Sequence, residues 1–478
     1  MSAFSGFCVP EVEGCGPIRG PRSGQLQNLP AIQCTACLDL SNKKEGSSLE
    51  ASSEPPCLQH VVRSPTLSTD VCCIDANSTI YVVDAQQLRC TSTIDSAHNA
   101  PVTSSSFLHR DSHVLVTSSQ DGAVKFWDLR APHHCNKNQQ EGKQTVADAS
   151  VQVAPLGSRE ADMWALAVRG DDLAFAVSFK NNIKGFDLRA VCSQGNNTSP
   201  AAAPAAGNGQ QQKKASRQKR TKRLLWDIQV HGDSVTALQF HPLYQQLLFS
   251  GGEDSLVCLS DTSAAATAAA AAAGGNTEEA ADASLVYCFS QERAVKGLSL
   301  VGPDAACICL RSSMEDVGLW QLEGLQRFRS SRSDAAASAS SSSPQGNTTE
   351  VYGQRRAEWL EIRSHPDIRE GESCGYVVDT FYDEVVGRLF VLADGVTPAA
   401  VFRSHTSSSS GAVPPSGPLG HSGVVRGAVV TPGSENNGFG IITCGEDGRV
   451  CSWSQCGVAT GSGNNSSGCS KNRQAQPY

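Results

Sequence analysis

Short apolar runs broken by turns that carry Asp and Gly dominate the chain, as in VTALQF, LLFSGG and SLVCLS, with QDG, EDS and EDG as the tightest turns. Apolar stretches of this length bounded by turn residues predict β-strands. Asp and Gly suit the turns, because Asp bonds its own turn backbone and Gly tolerates positive φ. Helical spacing is scarce. Three segments align with one another: 97–130, 230–262 and 420–455. His98 stands 23 residues before Asp121, His231 23 before Asp254, and His421 26 before Asp447, the extra residues falling in the polar stretch 434–438. Trp127 and Trp453 follow their aspartates by six residues, whereas Ser260 holds that place after Asp254. Such repetition predicts stacked units of four short antiparallel strands.

The order His, Asp-Gly, Trp-Asp at this spacing resembles the WD-repeat β-propeller family. The resemblance implies four-stranded blades around a central channel. Within a blade it implies a hydrogen-bond network of His, a Ser or Thr, the turn Asp and the strand Trp. The matching residues are His98, Asp121 and Trp127; His231 and Asp254; and His421, Asp447 and Trp453. With Ser260 at the Trp position, the second network is expected to be incomplete. Weaker units fill the gaps. Segment 163–189 ends in Phe186-Asp187, segment 284–323 ends in Leu319-Trp320, and 375–405 reads as a three-strand meander. AIQCTACLDL and, after an insert, DVCCIDANSTIYVVDAQQLRCTSTI make one more.

Only 39% of the 478 residues are hydrophobic, and Ser, Ala, Gly, Asn and Gln concentrate in a few stretches. These lie at 41–69, 193–223, 262–283, 329–350 and 404–419. Such segments bury too little apolar surface to offset ordering entropy, so they are expected to be disordered inserts between blades or in blade-edge loops. The alanine run within 262–283 favours a transient helix without stable packing. Setting these stretches aside leaves about 310 residues, or roughly 44 for each of seven units. The expected fold is therefore all-β: a single seven-bladed WD-repeat β-propeller over 27–456, its termini sharing one blade. A flexible segment 1–26 and a disordered tail 457–478 flank it.

The formal charge of -8 disfavours a protein that coats nucleic acid over its whole surface. No apolar run is long enough to span a membrane, and a start containing Glu11 and Glu13 but no basic residue does not read as a secretory signal. The expected compartment is nuclear or cytoplasmic, with the 19 cysteines reduced and serving as small core side chains. Cys34 and Cys37 have CxxC spacing, but they sit in a strand-like run without a second ligand pair, so a core strand is preferred to zinc or redox chemistry. His98, His231 and His421 fall at equivalent places on separate blades and should not converge on one metal. Glu253-Asp254 and Glu446-Asp447 are read as turn residues rather than acid–base pairs. No GxSxG, GxxxxGK[ST] or HExxH pattern occurs, so neither catalysis nor a cofactor is expected.

Two features suggest partners. Lys213, Lys214, Arg217, Lys219, Arg220, Lys222 and Arg223 place seven positive charges in eleven residues, the pattern of a nuclear-import signal or a phosphate contact with RNA. No aromatic residue interleaves them, which argues against base stacking. The sequence Trp127-Asp128-Leu129-Arg130, with a weaker copy in Phe186-Asp187-Leu188-Arg189, resembles the motif by which some WD-repeat proteins dock on the adaptor of a cullin-type ubiquitin ligase. That resemblance implicates Trp127, Asp128, Arg130, Asp187 and Arg189. The leading expectation is a non-catalytic scaffold, monomeric within a complex, that binds other proteins through its faces. Alternatives are a ligase substrate receptor and an RNA-associated or ribosome-assembly factor using 213–223.

Overall fold

The computed structural model describes residues 6–9, 27–28, 32–41, 55–65, 70–130, 147–153, 161–192, 224–271, 282–314, 316–328, 350–359, 374–383, 388–395, 420–432 and 439–455. Among them the strand-forming runs build seven four-stranded antiparallel sheets, here called blades. From the innermost strand outward, blade 1 comprises Leu58–Arg63, Asp70–Asp75, Ile80–Asp84 and Arg89–Ile94. Blade 2 comprises Val102–Phe107, Val114–Ser119, Ala123–Asp128 and Ala149–Gln152. Blade 3 has Leu166–Val168, Ala174–Phe179, Asn182–Asp187 and Leu224–Ile228. Blade 4 has Val235–Phe240, Leu247–Gly252, Leu256–Asp261 and Leu285–Ser290. Blade 5 has Val295–Val301, Cys307–Ser312, Val317–Glu323 and Tyr352–Trp359.

Blades 6 and 7 are completed from the other end of the chain. Blade 6 starts with Cys374–Asp383 and Arg388–Gly395, then takes Gly6–Val9 and Gln27–Asn28 as its outer strands. Blade 7 starts with Val425–Pro432, Phe439–Gly445 and Arg449–Gln455, and Ile32–Asp39 is its outermost strand. The seven innermost strands touch their neighbours in cyclic order, and blade 7 returns to blade 1, so the ring is closed.

The core lies between blades. Val116 and Phe126 of blade 2 pack on Phe175 and Val177 of blade 3, while Phe249 and Leu259 of blade 4 pack on Ile308 and Leu310 of blade 5. Phe126 meets Phe175 edge-on at 5.5 Å, a favoured aromatic geometry. Middle strands are covered on both faces, which is why Leu247–Gly252 is buried throughout and reads as a continuous apolar run. Alternating strand direction gives the ring two faces. The upper face carries the blade-to-blade links and the turns between second and third strands. The lower face carries the turns between first and second strands and the connections from third to fourth.

Several expectations are corrected. The segment 1–26 was expected to be flexible, yet Gly6–Val9 pairs with Arg388–Gly395, and it supplies the third strand that the 375–405 meander was expected to provide itself. The proposed insert 41–69 contains Leu58–Arg63, the innermost strand of blade 1. That run was obscured because only Leu58, Val61 and Val62 among its residues are apolar. AIQCTACLDL accordingly belongs to the last blade, not the first. Within 262–283 the alanine run packs as helix α1, Thr262–Ala271. Asp261 caps it by accepting from the Ser263 and Ala264 amides at 2.9 and 3.3 Å. Ala265 is fully buried in the cluster containing Trp226 and Leu248, because its small side chain lets the helix backbone approach the sheets. Segments 193–223, 262–283 and 329–350 enter between the third and fourth strands of single blades. Residues 193–223, 329–349, 396–419 and 456–478 lie outside the described residues, and so do the expectations placed on them.

Candidate functional site

The repeated polar residues come together inside three blades. In blade 2, His98 from the incoming link bonds through Nδ1 to Asp121 of the upper turn at 3.0 Å, and through Nε2 to Thr117 Oγ1 at 2.7 Å. Trp127 Nε1 donates to the same hydroxyl at 3.0 Å. Asp121 also accepts from the Asn99 and Ala123 amides at 3.1 and 2.9 Å. Blade 7 repeats this with His421–Asp447 at 3.0 Å, His421–Thr443 at 2.7 Å and Trp453–Thr443 at 2.8 Å. Blade 4 joins His231 to Asp254 at 3.1 Å and to Ser250 at 2.8 Å. Its third strand has no Trp, and the buried Ser260 hydroxyl at that place has no partner. Ser255 takes φ 66° where the equivalent turns have Gly122 at 79° and Gly448 at 73°. A left-handed serine costs on the order of 1 kcal/mol relative to glycine.

These networks are electrostatically settled. Burial holds the His98 and His231 imidazoles below their ordinary value despite the facing carboxylates. Burial alone would raise Asp447, but His421 and the Ser422 and Arg449 amides outweigh it and hold the carboxyl at about 2. The groups tie the incoming link to the upper turn, with all three imidazole side chains fully buried. Blade 5 reaches a similar end by different residues: Gln291 Oε1 accepts from Trp320 Nε1 at 2.7 Å. The missing His hid this network in the sequence, although a buried Trp at a blade end implied some acceptor. In blade 3, Phe186 stacks on Phe175 at 5.3 Å and needs none.

The other candidates are separate. Glu253 and Glu446 sit in the same turns as Asp254 and Asp447, and Glu446 pairs with Arg426. Cys34 is buried and Cys37 half-buried on the outermost strand of blade 7. Among the described residues no group of three His, Cys, Asp or Glu side chains could hold a metal ion. No described helix is long and apolar enough to cross a membrane.

On the lower face, the Arg130 guanidinium is engaged by Asp128 at 2.8 Å and by Asp111 at 3.0 Å. Trp127 is wholly buried. Arg189, in the short helix Leu188–Cys192 before the chain leaves blade 3, is more open and lies 3.5 Å from Asp187. The two arginines therefore share a face but differ in their freedom to meet a partner.

On the upper face the channel opens into a cleft of about 520 Å³ to which all seven innermost strands or their leading residues contribute. Trp164, 40% exposed, stands at its edge. Lys296, Arg311 and Arg426 line it with Asp379, which lies 3.5 Å from Arg311. Sequence motifs did not reveal this cleft, because its residues fall at the least repetitive ends of the blades.

Two segments, 88–128 and 222–261, match the family described as WD domain, G-beta repeat. The fold is a seven-bladed β-propeller, and these two segments of it are WD-type repeats. Each matched segment includes the outer strand of one blade and the first three strands of the next, so the sequence repeat is offset from the structural blade. Comparison with curated proteins finds no match. Among solved structures, the crystal structure of the Myceliophteria thermophila Cps50 (Swd1) β-propeller domain is similar at 11% identity, covering 88% of this chain and 99% of that one with a TM-score of 0.48.

Proposed function

We propose that this propeller is a non-catalytic scaffold that docks other proteins at the upper mouth of its channel. The observation that carries the reading is the shared cleft, with a half-exposed Trp beside a surplus of cationic side chains. That chemistry suits a short protein segment presenting an apolar side chain to Trp164 and a carboxylate to Lys296. Within the family, the order MEDVGLWQLE, FYDEVVGRLFVLAD, GHSGVVR and TCGEDGRV is similar to WD repeat-containing protein 89, and a nuclear or cytoplasmic setting accompanies this proposal. The ligase-receptor alternative has less support, because Arg130 would have to leave two local carboxylates. RNA association rests on the basic run alone.

Affinity capture followed by mass spectrometry tests the reading on wild type, Trp164→Ala/Lys296→Glu and Arg130→Ala/Arg189→Ala, each shown first to melt like wild type. The expected result is a set of proteins retained at moderate salt, depleted about tenfold by the upper-face variant and unchanged by the lower-face one. Equal recovery with the upper-face variant contradicts the proposal. A ligase adaptor lost only with the arginine variant would put the receptor reading in its place, and capture abolished by ribonuclease would favour RNA.

A further inference from the structure

Blades 4 and 7 each carry two facing thiols on their outer strands. Cys258 lies opposite Cys288, and Cys451 lies opposite Cys37. Both inner cysteines follow their turn aspartate, Asp254 or Asp447, by four residues, so the pairs occupy one structural register. Blade 2 has Lys125 opposite Ser150 at that place. The sulfur atoms are 3.2 Å apart in blade 4 and 3.4 Å apart in blade 7, with the third-strand thiol donating to the fourth-strand sulfur in each. Facing residues of an antiparallel pair have Cα atoms about 4.5–5.5 Å apart. A disulfide spans about 4.4–6.8 Å between Cα atoms, so bond formation needs side-chain rotation rather than a change of register.

We propose that Cys37 and Cys451 form a reversible disulfide latch that fastens the N-terminal strand of blade 7 to the rest of the ring. Cys37 is half-buried and Cys451 fully buried, which assigns first contact with an oxidant to Cys37. The hydrogen bond from Cys451 and the nearby Arg449 hold the Cys37 thiol below its ordinary value, whereas Cys451 is held well above. With glutathione disulfide as oxidant, the Cys37 thiolate attacks one sulfur and expels a glutathione thiolate. The deprotonated Cys451 then attacks Cys37 Sγ and expels the second. One S–S bond breaks and one forms; the two protein thiol protons end on two glutathione molecules, and two electrons pass to the oxidant. Because Cys451 gives up its proton reluctantly, the mixed disulfide on Cys37 precedes closure.

The latch acts where it has most effect. Cys37 and Cys451 are 414 residues apart in sequence, against 30 for Cys258 and Cys288. A cross-link constrains the unfolded chain more as the loop lengthens, and this one also holds the strand that closes the ring. Cross-strand disulfides that are strained or partly exposed are the readily reduced kind, suited to a reversible switch.

The test uses the full chain, equilibrated in glutathione buffers of rising oxidised fraction, quenched with a thiol-blocking reagent and digested without reduction for mass spectrometry. The expected product links the peptides containing Cys37 and Cys451, disappears with dithiothreitol, and raises the melting temperature by about 5 °C or more. Cys37→Ser should melt like the reduced wild type and lose that rise, while Cys34→Ser should keep it. Should Cys37→Ser fail to fold, the wild-type digest decides. Free or only glutathionylated Cys37 in fully oxidised glutathione, or Cys451 linked to Cys34 instead, would overturn the proposal.

Discussion

A buried imidazole facing a half-buried carboxylate binds each of three links to its own blade, and the placement of protons there governs stability. Asp447 sits at about 2 in the fold against an ordinary 3.8. Its contribution, about 2 kcal/mol, is full above about pH 5 and is lost as pH falls from there towards about 2. His98 and His231 are depressed by burial, so the unfolded chain binds protons more readily once pH drops below about 6.5, and stability falls there too. Both effects have the same sign. The expected denaturant midpoint is level between pH 7 and 8, declines below 6.5 and declines further below about 5; a midpoint rising from pH 7 to 5 would contradict the assignment. At this scale the sequence was informative where identical residues recur, as with His98, Asp121 and Trp127. It placed Trp320 at a blade end but was silent on its partner Gln291, because one acceptor had replaced another of different chemistry.

Between the level of residues and that of the ring, the offset of repeat against blade explains what was and was not legible. The Trp-Asp end of a repeat marks the third strand, so a reader stops there, while the fourth strand lies beyond the insert, as Leu224–Ile228 does after 193–223. Outer strands are also the least buried, and Arg89–Ile94 shows little apolar run to find. The alanine helix was misjudged for a related reason: propensity and composition do not reveal that a small side chain matches a particular groove. Ala265 is fully buried and Ala270 exposed on the same helix. Ala265→Glu should therefore cost about 3 kcal/mol in urea denaturation, from an unpaired buried carboxylate, while Ala270→Glu stays within about 0.5 kcal/mol. Equal, small effects would mean that the helix does not pack on blades 3 and 4.

For the whole molecule, ring closure is the property on which the rest depends. Seven innermost strands in cyclic contact form the cleft, and an N-terminal strand completes the blade in which the ring meets itself. The period and number of blades could be read from the repeats. The loan of strands from the N-terminus to blade 6 could not, since GFCV is a short run whose partner is more than three hundred residues away. Sheets left without their outer strand expose an unpaired edge, so closure protects the fold as well as shaping it. Amide hydrogen exchange on the intact chain tests this most directly. The account predicts that Ile32–Asp39 is protected to the same degree as its partner Arg449–Gln455, and that deleting residues 1–40 removes protection first from the two blades that lose strands, 374–395 and 425–455. Exchange of Ile32–Asp39 within seconds, with 425–455 still protected after the deletion, would contradict it.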